Sequence, residues 1–188
     1  GDSSILFCVG ETIHFQPENF SSDYLWDFGD CGTSTEANPT HTFDKPGIYT
    51  IQLTQDFGCK VETSISAITI YPDITAEFIA NAEPSCSEPN LVNFANKTSI
   101  SDLVAPSCIS PIADCNTFSA VDTSLLRVQL EWDFGDTACP PLQELVSISE
   151  LLSGNTSIPT CNFSSEGLHE VKLTATLQTL NKATNTWI

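Results

Sequence analysis

Apolar and polar residues alternate in short runs along the first third of this chain. Thr12–Gln16, Tyr24–Phe28, Ile48–Gln55 and Val61–Tyr71 are rich in β-branched and aromatic residues with period-two stretches, which predicts strands. Turn-forming clusters separate them: Pro17-Glu18-Asn19, Gly29-Asp30-Cys31-Gly32, Asp44-Lys45-Pro46-Gly47 and Asp56-Phe57-Gly58. About six or seven short strands at such spacing predict an immunoglobulin-like β-sandwich. Pro72 closes its last strand, and Ile74–Ala80 opens another.

The same pattern then returns. Trp-Asp-Phe-Gly-Asp stands at Trp26–Asp30 and again at Trp132–Asp136. A run ending in Phe precedes each copy (Phe15, Phe94), and Phe-x3-Gly with a second alternating run follows it (Phe43 to Leu53, Phe163 to Leu173). One structural unit is therefore used twice, over residues 1–72 and 73–188. The second copy is longer by about 27 residues before its motif and about 14 after it, insertions that loops tolerate because closure entropy grows slowly with length. These insertions fall near 96–125 and 138–160. The first is polar and rich in Ser and Pro. The second begins Pro140-Pro141, carries apolar residues at 142, 145, 146, 148 and 152, and ends Ser153-Gly154-Asn155, which predicts one short helix. The expected fold is all-β: two tandem sandwiches, the second with long insertions and that helix.

Charge narrows the possible partners. Six basic residues against 24 acidic ones give a net charge of −18, which excludes nucleic acid because phosphate binding needs clustered Lys and Arg. Loop carboxylates leave a structural Ca2+ open, but no run fits an EF-hand and no metal site is assigned. No apolar stretch of about 20 residues is present to insert into a membrane. An opening Gly, no signal peptide and no Met read as a processed or excised fragment.

Eight cysteines without a CxxC pair point to disulfides in an oxidising compartment rather than to zinc. Strand order makes Cys8–Cys31 and Cys86–Cys139 a repeat-consistent pair of bonds. Cys8–Cys59 and Cys139–Cys161 form the rival scheme, and Cys108–Cys115 closes a small loop in either.

Tyr24–Asp30, Asn38-Pro39-Thr40-His41-Thr42-Phe43 and Pro46–Leu53 together closely resemble the polycystic kidney disease (PKD) domain. The second unit is similar over Trp132–Asp136 and Gly167–Leu173, but has Thr160-Cys161-Asn162-Phe163 where His-Thr-Phe stands. The resemblance implies that Trp26 and Trp132 fill the space between sheets, and that Gly29 and Gly135 allow sharp turns. Asp27, Asp30, Asp133 and Asp136 are then turn braces rather than catalytic groups. The Asp-Phe-Gly triplets lack every other kinase motif. A catalytic carboxylate pair would not be expected in duplicate on a turn of the fold, and no Ser-His-Asp or Cys-His grouping is indicated. No enzymatic activity is expected.

Cys8–Phe15 and Phe57-Gly58-Cys59 resemble the PKD-like repeats of very large secreted proteins of the Bacteroidota, including cell-surface adhesins linked to gliding motility and type IX secretion. The resemblance thus implies a non-catalytic extracellular repeat segment of a surface adhesin or filament. Unit one would be a spacer between neighbouring repeats. Unit two would contact a surface glycan or protein partner through roughly Ser99–Thr123 and Pro140–Pro159. The alternative is an accessory polysaccharide- or collagen-binding module of a secreted hydrolase or protease. That role needs an aromatic platform, for which Trp187, Phe118, Phe20 and Tyr71 are the candidates.

Overall fold

A computed structural model describes residues 7–82, 91–101, 103, 118–165, 167–182 and 184–188. In chain order the first strands are β1 (Phe7–Cys8), β2 (Thr12–His14), β3 (Asp23–Asp27), β4 (Thr33–Ser34), β5 (Thr40–Thr42), β6 (Gly47–Asp56) and β7 (Val61–Tyr71). Then come β8 (Ile74–Thr75), β9 (Phe78–Ala82), β10 (Leu91–Asn96), β11 (Ser99–Ile100) and β12 (Phe118–Ser119). The remainder is β13 (Leu126–Asp133), β14 (Leu142–Ser147), helix α1 (Ile148–Ser153), β15 (Thr160–Asn162), β16 (Lys172–Asn181) and β17 (Thr186–Trp187). The chain is all-β, as its alternation predicts, and forms two units.

Unit one comprises Gly1–Asp73 with Ser101–Val121. Its main sheet runs β1-β7-β6-β3-β4, with β12 also on β6, and β2 pairs with β5. On β6 the residues Gly47, Tyr49, Ile51, Leu53 and Gln55 are buried in strict alternation. Tyr49, Ile51 and Leu53 join Ile13, Trp26, Phe28, Phe43 and Ile70 in one core. Each such large apolar side chain contributes about 1.5–3 kcal/mol by leaving water. The observed division differs from a single cut at residue 72/73 in one respect. Ser101–Val121 goes with unit one, because Phe118–Ser119 pairs with Tyr49 and Ile48 of β6.

Unit two comprises Ile74–Ile100 with Asp122–Ile188. Its sheets are β14-β13-β16-β17 and β15-β10-β9, with β8 paired to β11. Phe94, Trp132, Phe134, Cys139, Cys161 and Phe163 form its core. The expected helix is half realised. Residues 142–147 form β14, paired with β13 from Arg127↔Ser147 to Trp132↔Leu142. Leu-Gln-Glu-Leu-Val-Ser satisfies either period over so short a run, and the exposed backbone edge of β13 decides for the strand. Only Ile148–Ser153 is helical. Ser147 caps it with a reciprocal Glu150 contact, Gly154 ends it in the left-handed region, and Ile148 and Leu151 are buried. Among the described residues no helix is long and apolar enough to cross a membrane.

Candidate functional site

The two copies of the motif build the same turn. Trp26 and Trp132 end the inward alternation of β3 and β13 and are buried. In unit one the Trp26 indole Nε1 donates to the Glu36 carbonyl at 3.1 Å. The Trp132 Nε1 is buried with no acceptor among the described residues. One residue after each Trp, a carboxylate folds back: Asp27 Oδ1 accepts from Gly29 N at 2.9 Å, and Asp133 Oδ1 from Gly135 N at 3.0 Å. These are Asx turns, and they need the glycine in the left-handed region, at φ 78° for Gly29 and 61° for Gly135.

The second aspartate of each motif braces the next turn. Asp30 Oδ1 accepts from Gly32 N at 2.9 Å, and its Oδ2 accepts from His41 Nε2 at 2.7 Å. His41 is held flat on Phe28, ring centroids 4.1 Å apart. Asp136 Oδ1 accepts from Ala138 N, and its Oδ2 takes both the backbone N and the Oγ of Ser164. These bonds, the one from Ala138 first, hold the Asp136 carboxyl below the usual carboxylate range against the opposing effect of desolvation.

Unit two lacks the His-Thr-Phe motif and replaces its histidine from elsewhere. Cys161 stands two residues before Phe163, as His41 stands before Phe43. His169 follows Gly167 as Tyr49 follows Gly47. The ring of Tyr49 lies 4.4 Å from Phe43, and its hydroxyl donates to the Lys45 carbonyl at 2.7 Å. His169 lies 4.3 Å from Phe163, and its Nε2 donates to the Ser165 carbonyl at 2.9 Å. Its Nδ1 also faces Asp136 Oδ2 at 3.6 Å. One imidazole thus takes the place of the tyrosine and meets the aspartate as well. The offset from the preceding glycine was the signal for it, but strand alternation alone does not distinguish the two histidines.

The position vacated by the histidine is used for a covalent bond. Cys139 and Cys161 are disulfide-linked, with Cα atoms 5.6 Å apart and a sequence separation of 22. This is the rival pairing, and it precludes Cys86–Cys139. Cys8 is a free thiol, so neither Cys8–Cys31 nor Cys8–Cys59 forms. Sheet order gives the reason. Cys8 lies on β1 at one edge, and Cys31 follows β3 near the other, about 14 Å away across three strand spacings. Cys59 is at the β6–β7 tip, whereas Cys8 pairs with Tyr71 at the far end of β7, about 30 Å along the strand. Burial first, then Glu11 and Asp73, push the Cys8 thiol up, which makes it a poor nucleophile. Cys86, Cys108 and Cys115, and with them Cys108–Cys115, lie outside the described residues.

The concave surfaces are of different character. In unit one a groove of about 510 Å3 is lined by Trp26, Ile51, Leu53, Ile65 and Ile68 beside Pro17. In unit two a hollow of about 410 Å3 lies beside Asp133, Gly135, His169, Glu170 and Lys172. Of the aromatic candidates, Phe20 is 89% exposed, Trp187 is half-buried with its ring 4.1 Å from the Arg127 guanidinium, and Tyr71 is half-buried. Of Phe118 only the backbone pairing is described.

Residues 6–70 match the PKD domain family. The PKD domain is a non-catalytic module. Similar stretches occur in collagenase ColA of Bacillus cereus, 40% identical over 72 residues, and in collagenase ColA of Clostridium perfringens, 36% identical over 91 residues. These cover 35% and 45% of this chain, and 8% of each relative. The pre-pro-metalloprotease PrtV of Vibrio cholerae is 45% identical over 51 residues, 23% of this chain and 6% of the relative. The chain thus spans less than a tenth of the length of these relatives.

Proposed function

We propose that this chain is a non-catalytic accessory segment of a larger secreted hydrolase or protease, and that it helps hold the enzyme on an extended extracellular polymer such as collagen. The observation that carries the reading is the PKD domain at 6–70, whose relatives are collagenases and a metalloprotease. They move the reading away from the surface adhesin and its gliding and type IX associations, which these relatives do not share. In this role the paired aspartates are structural. Each carboxylate is already engaged by turn amides, hydroxyls or imidazole, so it is poorly placed to attack or protonate a substrate. Unit one acts as a spacer and unit two, with its longer loops, makes the contact. A surplus of acidic residues keeps such a module soluble and free of polyanions.

Mass spectrometry of the native secreted polypeptide tests this. Peptides of this chain should be found on the same polypeptide as a catalytic domain. A polypeptide made of many further repeats, with no catalytic domain, would restore the adhesin.

A further inference from the structure

The outward face of the β14-β13-β16 sheet in unit two carries a continuous chain of polar side chains. Leu126, Val128, Leu130 and Trp132 of β13 are buried, so Arg127, Gln129 and Glu131 point the other way. Strand register sets Gln143 opposite Glu131 and Gln178 opposite Arg127. Arg127 Nε donates to Gln178 Oε1 at 2.7 Å, and Gln178 Nε2 donates to Gln129 Oε1 at 2.6 Å. Gln129 Nε2 and Gln143 Nε2 then both donate to Glu131 Oε1, at 2.7 and 2.8 Å. The amide orientations follow from the ends, since a guanidinium only donates and a carboxylate only accepts. Trp187, brought to the same face by its pairing with Leu180, packs on the Arg127 guanidinium.

Such a network fixes the rotamers of five long side chains before any ligand arrives, which lowers the ordering cost of binding. In unit one β6 presents Thr50, Gln52 and Thr54 opposite Ala67, Ile65 and Thr63. Among the described residues no comparable chain crosses that face.

The groups left over define what the face can recognise. Each glutamine keeps one amide N–H, and Arg127 keeps its two terminal amino groups. The remaining acceptors are the second Glu131 oxygen and Gln143 Oε1. Arg127 and Glu131, with Lys172 opposite Asp133 on the same face, leave it neutral, and it is rich in donors. A matching ligand is uncharged, rich in carbonyls and poor in N–H groups. Proline-rich strands have that character: proline has no N–H, and an extended polyproline II strand turns its carbonyls to the outside. Their rings also suit an aromatic face.

We propose that this face of unit two binds an extended proline-rich polypeptide strand, with Arg127, Gln129, Gln143 and Gln178 donating to its carbonyls and Trp187 packing on a proline ring. The proposal rests on the accessory-module reading and names its contact surface. The test is calorimetric titration of the 188-residue chain with a peptide of about ten prolines, which stays a single polyproline II strand. Gln178→Leu and Trp187→Ala should each weaken binding about tenfold, the equivalent of one lost contact of about 1.4 kcal/mol. Gln52→Leu, on the face of unit one, should leave binding unchanged. Circular dichroism checks that each variant is folded, and Arg127→Lys, which keeps the charge but not the fork, is a milder second probe.

If the wild type binds and none of the unit-two variants loses affinity, the surface is wrong and the accessory reading stands. Binding to insoluble chitin or cellulose but not to the peptide would overturn the proline-rich occupant. No binding to peptide, collagen fibrils or polysaccharide would overturn both the surface and the accessory reading.

Discussion

Gly135 shows how closely the two copies of the turn are fitted. It holds φ at +61°, and a Cβ there would stand 2.5 Å from the Glu170 carbonyl oxygen. Backbone cannot yield as a flexible side chain can, so Gly135→Ala should destabilise unit two by about 2–4 kcal/mol, read as a lower urea midpoint. Gly10 also has positive φ (+82°) but nothing within 4 Å, so Gly10→Ala should cost only about 1 kcal/mol. Asp136 gives a pH signature. Its folded carboxyl lies below the ordinary value, so its contribution is present above the unfolded pKa of about 3.9 and is lost as pH falls through the folded one. Asp136→Asn should therefore flatten the acid limb of stability below about pH 4. An unchanged slope in the pH series of urea midpoints would mean that the Ser164 and Ala138 bonds do not bind the ionised form preferentially.

Strands and turns carry most of what the sequence disclosed. The alternation on β6 and β13 needs no tertiary knowledge, because one face of each must be apolar. The braced turns were legible for the same reason, since Asx contacts are local. Features that depend on a distant partner were not. Residues 142–147 became a strand because β13 was there to pair with them. Cys139–Cys161 was legible only as the rival of two schemes, because repeat symmetry pointed the other way, and β15 decides it by bringing a cysteine where unit one has histidine. The bond closes a loop that holds β14 and α1. Its reduction, or Cys139→Ser with Cys161→Ser, should lower stability by about 3 kcal/mol on loop-closure grounds. Thermal unfolding with and without reductant measures this. Equal midpoints would show that the burial of the two sulfurs, not the bond, holds the loop.

At the scale of the molecule, the two units share a plan but differ in the residues that build it. Unit one keeps the full family motif set and is the part matched over 6–70. Unit two keeps the Trp and both aspartates, while trading a histidine for a disulfide and a tyrosine for a histidine. Those exchanges conserve the core and leave the outer sheet face free to carry the arginine–glutamine–glutamate chain. Segment exchange adds to this, since β12 follows unit-two strands in sequence yet pairs with β6 of unit one. No period or composition marks such a return. The central claim is that the chain is an accessory module for a polymer rather than a bare spacer. Depletion of the 188-residue chain from solution by insoluble fibrillar collagen measures this most directly, with chitin and cellulose beside it. Saturable removal by collagen is the predicted result. A chain that stays in solution against all of these polymers would contradict the account.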